Sequence, residues 1–483
     1  MRLAALASAA GLAVLLLPLG AVSAGRSPAD LARLLAEADR LSGSLDPTRV
    51  QTRYEIARSV ERELWEQVPS AKCRATYRAL RAAARAHITA SEGIDRLLPT
   101  LRTRGEQESL AARRRLAAAL PSCPSGQWRR AAGGPRPLLE PLDGEAFFGV
   151  VRAKAPAAAT RLEVTWNTHV VARRPADAQT TIRLTSVRRG SGSLKVRFYD
   201  AAGALLSTRG ARRVWLLPTS GAAPPARART DRALSARLAV VASGFSGYSG
   251  IWVQDLHSGR YASWNSEARF PAASTVKLGV LIAALDRYGP RPERSPFAYD
   301  LETLAAWSSN LAANRLFRLL GRGTVERRLR RMGATRSTYP REYRVGTSVR
   351  GGTPGEPPLV SDRTTTAHDL AALLTGLQAA GAGDPLAMRR AGLSRHEARV
   401  GLAMLLRSLP VADNAGLFSR WLPKGTPAAQ KHGWISSARH SAAIIYITRG
   451  PLVVVLLTFR EPSIALSDAQ RLGRLVLGAA AVS

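Results

Sequence analysis

Apolar residues change their spacing along the chain, and each change marks a unit. From Ser27 to about Leu120 they recur at helical intervals, as in Tyr54, Ile56, Val60, Leu64 and Val68, and again in Leu97, Leu98 and Leu101. Ala, Leu, Arg and Glu dominate there and Pro is scarce, so residues 25–127 are expected to form a helical domain. Asp46-Pro47 supplies a cap followed by a first-turn proline. This stretch reads as a bundled spacer without a catalytic candidate, and its lone His87 as a surface or packing residue. Pro121 to Pro141, rich in Pro, Gly and Ser, interrupts the pattern. Short strands follow at Phe147–Val151, Arg161–Trp166, Thr181–Leu184, Leu194–Tyr199 and Val214–Leu216, several of them alternating apolar and polar. Residues 138–220 are therefore expected to form a small all-β sandwich of immunoglobulin-like type, with Trp166 in its core. Gly221 to Arg229 is a Pro/Ala-rich linker. From 230 to 483 a helix leads into two strand runs, Gly250–Leu256 and Gly259–Trp264. A helical middle follows, then strands at His440–Thr448 and Leu452–Phe459 around Arg449-Gly450-Pro451, and a terminal helix. This order predicts an α+β domain, an antiparallel sheet covered by helices.

The ends and the composition place these units. Arg2, the apolar run Leu3 to Leu19 and the small residues Ala21-Val22-Ser23-Ala24 read as a signal peptide over residues 1–24. A secreted, periplasmic or cell-wall-associated protein is expected, with an uncleaved N-terminal anchor as the alternative. Cys73 and Cys123 are the only two cysteines. An oxidising compartment would let them bond and clamp a helical hairpin. The formal net charge is +35, and only 6 of the 70 basic residues are lysines. An arginine bias of this kind is compositional, yet the charge also suits attraction to an anionic cell-wall polymer. Basic residues are not interleaved with aromatics as on a nucleic-acid platform, so no specific nucleic-acid binding is expected. A monomer is expected.

The chemistry gathers in the last unit. Ser274 and Lys277 stand three apart in Ala272-Ala273-Ser274-Thr275-Val276-Lys277-Leu278, at the start of an apolar helix. On a helix they share one face. A serine hydroxyl needs a base within reach, and a lysine becomes one when burial strips its proton. Arginine could not serve, which makes a lysine here notable in so arginine-rich a chain. Ser308-Ser309-Asn310 follows Ser274 by 34 residues, and Lys431-His432-Gly433-Trp434 precedes the last strand pair.

Ser274-x-x-Lys277, Ser308-x-Asn310 and Lys431-His432-Gly433 together resemble the Ser-x-x-Lys, Ser-x-Asn and Lys-Thr-Gly elements of penicillin-recognising serine hydrolases, class A β-lactamases in particular. Thr364-Thr365-Thr366 and the Arg449-Gly450-Pro451 turn add to the resemblance, which covers about Asp231 to Ser483. It implies acyl transfer without metal or cofactor, on a β-lactam or a peptidoglycan-type small substrate. Ser274 would be the nucleophile and Lys277 its base. Ser308 would relay the proton to the leaving nitrogen, and Asn310 would hold the substrate amide. Lys431 would raise the local potential and attract a substrate carboxylate. The backbone N–H groups of Ser274 and Trp434 would form the oxyanion hole beside Gly433.

Three features depart from that pattern. Glu342, in Pro340-Arg341-Glu342-Tyr343-Arg344, stands where the family's deacylating glutamate is expected, but Gly346 takes the place of its asparagine partner. His432 replaces the threonine and would offer an N–H to the substrate carboxylate. Ser309 replaces an aspartate, Trp434 is bulky where a small residue is usual, and Val345 to Leu359 reads as an enlarged loop. Three functions follow: a secreted serine hydrolase turning over β-lactams; a D,D-peptidase or slow penicillin-binding protein, in which the acyl-enzyme persists; and a non-catalytic wall-binding protein.

Overall fold

The computed structural model describes residues 26–65, 67–123, 128–130, 136–184, 189–343, 356–359, 361–408 and 416–481. The expected signal peptide lies outside them, as does most of the 345–359 loop.

The N-terminal region is a four-helix unit: α1 (Pro28–Arg40), α2 (Pro47–Trp65), α3 (Arg74–Asp95) and α4 (Pro99–Ala119). Ser27 caps α1 in a reciprocal box with Asp30. Strands β1 (Gln67–Pro69) and β2 (Trp128–Arg130) pair beside them. Helices α3 and α4 pack very closely, because Gly93 and Gly105 lie at the contact. A Cβ on Gly105 would come within 2.3 Å of the Ala90 nitrogen. His87 is buried in this bundle, where the Arg53 Nε donates to its Nδ1 at 3.0 Å. Cys73, just before α3, is bonded to Cys123, past the end of α4, across 50 residues. Closing a loop of that length is worth about 2–4 kcal/mol. A Cys73→Ala/Cys123→Ala variant should therefore unfold at markedly lower denaturant, and an unchanged midpoint would show that the helical contacts suffice.

The second region is all-β. Its larger sheet runs in the order β3 (Arg136–Pro137), β10 (Leu205–Leu216), β9 (Gly190–Tyr199), β6 (Arg161–Trp166), β7 (His169–Pro175), with β4 (Ala146–Phe147) also on β10. Against it lies a pair, β5 (Val150–Lys154) and β8 (Gln179–Arg183). Both contribute to one core, which includes Phe147, Val164, Trp166, Ile182 and Phe198. Among the described residues the second layer has two strands, fewer than an immunoglobulin-like sandwich places there.

The C-terminal region is built on a six-stranded sheet. Its order is β11 (Arg229–Thr230), β13 (Arg260–Trp264), β12 (Tyr248–Asp255), β18 (Gly450–Phe459), β17 (Ala438–Ile447), β16 (Ala428–Ile435). The central strands β17 and β18 are apolar on both faces because helices cover both. Helices α5 (Arg232–Ser243) and α13 (Leu466–Ala481) bury one side. The other carries α6 (Lys277–Tyr288), α7 (Ala298–Ala306), α8 (Asn310–Leu320), α9 (Thr324–Arg331), α10 (Ala367–Ala382), α11 (Pro385–Ala391) and α12 (Arg395–Leu406). A small pair, β14 (Phe270–Pro271) with β15 (Thr364–Thr365), leads into α6. The α+β layout follows the sequence expectation, and β16 lies at the sheet edge.

The helical unit is not a detached spacer. Val50, Tyr54, Ala57 and Ile88 belong to the same apolar cluster as α6, α7 and α8. The buried Asp300 accepts from the Tyr54 hydroxyl at 3.0 Å and pairs with Arg58 and Arg315, each at 3.3 Å. The β-unit is tied in as well, through Arg399 on Glu140 at 2.6 Å and His396 between Glu145 and Glu293. Burial alone would discharge His396, but its hydrogen bonds to the two carboxylates outweigh that and raise it to about 9.

Candidate active site

Ser274 lies in the turn between β14 and α6 rather than on the helix itself, and Lys277 is the first helical residue. The reason is local. Pairing of Phe270 and Pro271 with Thr365 and Thr364 holds the approach, and the Ala272 N–H donates to the Arg363 carbonyl at 2.8 Å. Ala273 then takes φ +45°, a strained value for a residue with a Cβ. The Thr275 hydroxyl closes the turn on the Ala272 carbonyl at 2.6 Å. Ser274 is left half-buried while Lys277 is fully buried.

The Lys277 Nζ donates to the Ser308 carbonyl and to Asn310 Oδ1, both at 2.6 Å. Burial, and after it the charge of Lys431, hold the amine well below the ordinary lysine range. A neutral amine has two N–H groups and one lone pair. The two oxygens take up the N–H groups, which leaves the lone pair to accept a proton. Ser308 has φ +62°, and its hydroxyl accepts from the Lys431 Nζ at 2.7 Å. Lys431 is itself buried, which, with Arg96 nearby, lowers it to about 7.

On β16, alternate residues face opposite ways. Lys431 and Gly433 face the serine: a Cβ on Gly433 would lie 2.8 Å from the Ser274 nitrogen. His432 faces away. Its Nδ1 lies 2.9 Å from the Ser441 hydroxyl, and its ring packs over Gly416. Burial, then the Lys431 charge, keep it neutral, at about 3. The ring is thus not placed for the substrate contact expected of it. Trp434 is exposed, with the Arg439 guanidinium 5.0 Å from its ring.

Glu342 departs from expectation too. Its carboxylate is paired with Arg318 at 3.5 Å. The residue of this segment that reaches the Ser274 turn is its neighbour. The Tyr343 hydroxyl donates to the Ala273 carbonyl, next to Ser274, at 2.6 Å. Its ring centroid lies 4.4 Å from the Lys277 Nζ. Asn314 fixes it by accepting from its N–H at 2.6 Å and donating to its carbonyl at 2.9 Å. Burial, the leading cause, raises the Tyr343 phenol, so it stays protonated.

Three further groups come from the helical unit. Glu92 Oε1 accepts from the Ser309 hydroxyl at 2.5 Å, and its Oε2 from the Arg96 Nε at 3.0 Å. The Asp95 Oδ2 is buried and has no hydrogen-bond partner among the described residues, and burial, then Glu92, raise its carboxyl to about 6. The Arg96 guanidinium sits 5.7 Å from the Trp307 ring centroid. Sequence reasoning missed all three, since Ser91-Glu92-Gly93-Ile94-Asp95-Arg96 looks like an ordinary solvated helix end.

The profile of the beta-lactamase enzyme family matches residues 233–289 and 296–479. The chain belongs, through its C-terminal half, to the beta-lactamase enzyme family. Solved structures similar to this beta-lactamase-family domain include a variant of the last common ancestor of Gram-negative bacteria β-lactamase class A, with 22% identity, 51% of this chain and 97% of that one covered, and a TM-score of 0.41. A mutant of PBP-A, as an acyl-enzyme complex with penicillin G, shows 19% identity over 53% of this chain and 100% of its own, TM-score 0.42. A class A β-lactamase from Mycobacterium abscessus shows 21% identity over 51% and 99%, TM-score 0.41. No curated protein matches the chain.

Proposed function

We propose that the protein is an exported serine hydrolase that is acylated at Ser274 by a β-lactam or a related peptide amide. One observation carries this reading: Lys277 is buried with its Nζ held by Ser308 and Asn310, while Lys431 holds the Ser308 hydroxyl. Ser274 Oγ attacks the carbonyl carbon and its proton passes to the Lys277 Nζ. The N–H groups of Ser274 and Trp434 receive the developing oxyanion, with Gly433 permitting the close approach. As the C–N bond breaks, the proton moves from Lys277 through the Ser308 hydroxyl to the leaving nitrogen. Asn310 orients the substrate amide, and Lys431 draws in a substrate carboxylate.

The second reading, a D,D-peptidase or slow-turnover penicillin-binding protein, is favoured by the pairing of Glu342 with Arg318. The Arg318 ion pair competes with a deacylating water for that carboxylate. The +35 charge would hold either enzyme near an anionic wall polymer.

Intact mass followed over time after penicillin addition separates the readings. A transient adduct with lactam loss indicates a β-lactamase, and a lasting adduct the slow enzyme. Ser274→Ala should give no adduct and no turnover. Adduct formation by that variant, or none by the native chain, would remove acyl transfer at Ser274 from the account.

A further inference from the structure

Helix α3 ends against the turn that opens α8, and its Glu92 reaches into that turn. Glu92 is buried. Its Oε1 accepts from the Ser309 hydroxyl at 2.5 Å and its Oε2 from the Arg96 Nε at 3.0 Å. Ser309 is the N-cap of α8: its Oγ accepts from the Ala312 N–H at 3.0 Å, and its own N–H donates to the Thr303 carbonyl at 3.2 Å. A hydroxyl has one proton and two lone pairs. Ser309 is fully buried, so its proton needs an acceptor from the protein, and Glu92 supplies it. A carboxylate makes this bond stronger than a neutral acceptor would, and the bond turns the Oγ lone pair onto the Ala312 N–H. Ser309 stands between the two residues that hold Lys277. The Ser308 carbonyl and Asn310 Oδ1 each accept from the Lys277 Nζ at 2.6 Å, and the Ser308 hydroxyl accepts from Lys431 at 2.7 Å. Ser308 does so at φ +62°, a conformation that a residue with a Cβ keeps only when its surroundings over-determine it.

The end of α3 is a firm support. Gly93 lets α4 press against it from behind, where a Cβ would meet the Arg102 nitrogen at 2.3 Å. Docking itself is secured elsewhere, by Gln51 on the Leu311 carbonyl at 3.2 Å and by Tyr54 on Asp300 at 3.0 Å. A buried carboxylate adds a desolvation cost that docking does not require. Ser274, Ser308 and Asn310 keep part of their surface, so α3 supports the site without plugging it.

We infer that Glu92 is a positioning residue of the active site: through the Ser309 hydroxyl it fixes the Ser308–Asn310 turn in the conformation that holds Lys277 and Lys431. The helical unit is then a working part of the site. The effect of Glu92 on the reaction rests on the acyl-transfer reading, whereas its effect on the two lysines does not. Without Glu92 the Ser309 proton has no acceptor, the cap hydroxyl turns to find one, and Ser308 relaxes from its left-handed conformation. Its carbonyl then leaves Lys277 and its hydroxyl leaves Lys431. The proton path from Ser274 through Lys277 and Ser308 is stretched, while the N–H groups of Ser274 and Trp434 keep their places. The loss therefore falls on the acylation rate constant at saturating penicillin more than on the concentration that half-saturates it.

The test uses the full chain and fluorescent penicillin. Glu92→Met, which fills the space without offering an acceptor, should lower that rate constant by about 10- to 100-fold, the scale of a small misplacement. Ser309→Gly removes the hydroxyl but leaves a residue that helix caps tolerate, and should lose as much. The double variant should lose no more than either, because both act through one bond; losses that multiply overturn the inference. Tyr54→Phe cuts a contact of the same docking face and should keep the native rate at a lowered melting temperature. An equal loss there would reduce Glu92 to a docking contact and overturn the inference as well. A second readout needs no penicillin. With 13C at the lysine Cε the chain gives six signals, and Lys277→Arg and Lys431→Arg assign two of them. In Glu92→Met those two should shift and the other four stay. A native rate, or two unmoved signals, in folded Glu92→Met overturns the inference. If that variant does not fold, either result in Ser309→Gly does the same. If native Ser274 is never acylated, the acyl-transfer reading falls and the lysine signals decide alone: shifted, they leave Glu92 its positioning role, and unmoved, they remove it.

Discussion

Lys277→Met is expected to slow acylation of Ser274 by about 10³- to 10⁴-fold, the scale of a lost general base, and yet to leave the protein folded. The amine is fully buried and lies well below the ordinary lysine range, chiefly through burial. Methionine fills nearly the same space without any amine to desolvate. Against that gain, the Ser308 carbonyl and Asn310 Oδ1 lose a shared donor, at a cost of about 1–3 kcal/mol if water does not replace it. The two effects oppose, so the urea midpoint should move little while the chemistry collapses. Rapid-mixing kinetics with fluorescent penicillin and an equilibrium urea titration of the same preparation give both numbers. A methionine variant acylated within tenfold of the native rate would mean that another group takes the serine proton. Tyr343 is the one to examine then, since its hydroxyl sits on the Ala273 carbonyl, next to Ser274.

How legible all this was in the sequence depends on how local each signal is. Ser274 and Lys277 are three apart, and their chemistry demands that spacing, so they could be named without coordinates. Ser308, Asn310 and Lys431 needed only the order of three short motifs. For His432 the motif taken as a string misleads. Strand alternation puts Lys431 and Gly433 on one face and His432 on the other, and a period-two reading would have turned the ring away. Glu342 offers the carboxylate, whereas the fold turns the adjacent Tyr343 to the Ser274 turn and leaves Glu342 to Arg318. Glu92, Asp95 and Arg96 were out of reach for a different reason. They stand some 180 residues before Lys277, and only the docking of α2 and α3 on α7 and α8 brings them in. In the β-unit the alternation was visible, but the sheet order was not. The parallel contacts of β10 with β3 and β4 join segments about 70 residues apart, and no local pattern encodes them.

The other large effect is expected at Gly433, where the demand is purely steric. Strand β16 is the sheet edge, so it has backbone N–H groups free of sheet pairing, and it runs past the turn that carries Ser274. A Cβ at position 433 would meet the Ser274 nitrogen at 2.8 Å, the Thr275 nitrogen at 2.9 Å and the Ala273 Cβ at 3.1 Å. Two of these are main-chain atoms in a turn already strained at Ala273, so they cannot swing aside as a side-chain tip would. The strand must move instead, and the Trp434 N–H moves with it, away from the point it would share with the Ser274 N–H. Losing one oxyanion donor costs about 10²- to 10³-fold, and Gly433→Ala should show that loss in the acylation step more than in substrate affinity, because the donors act on charge that develops only in the transition state. Ser274 and Lys277 are both retained in this variant, so a Lys277 titration like that of the native chain alongside slow acylation would assign the defect to the oxyanion site. Acylation within threefold of native would mean that β16 can retreat without consequence, and the oxyanion donors would then have to be sought elsewhere around Ser274.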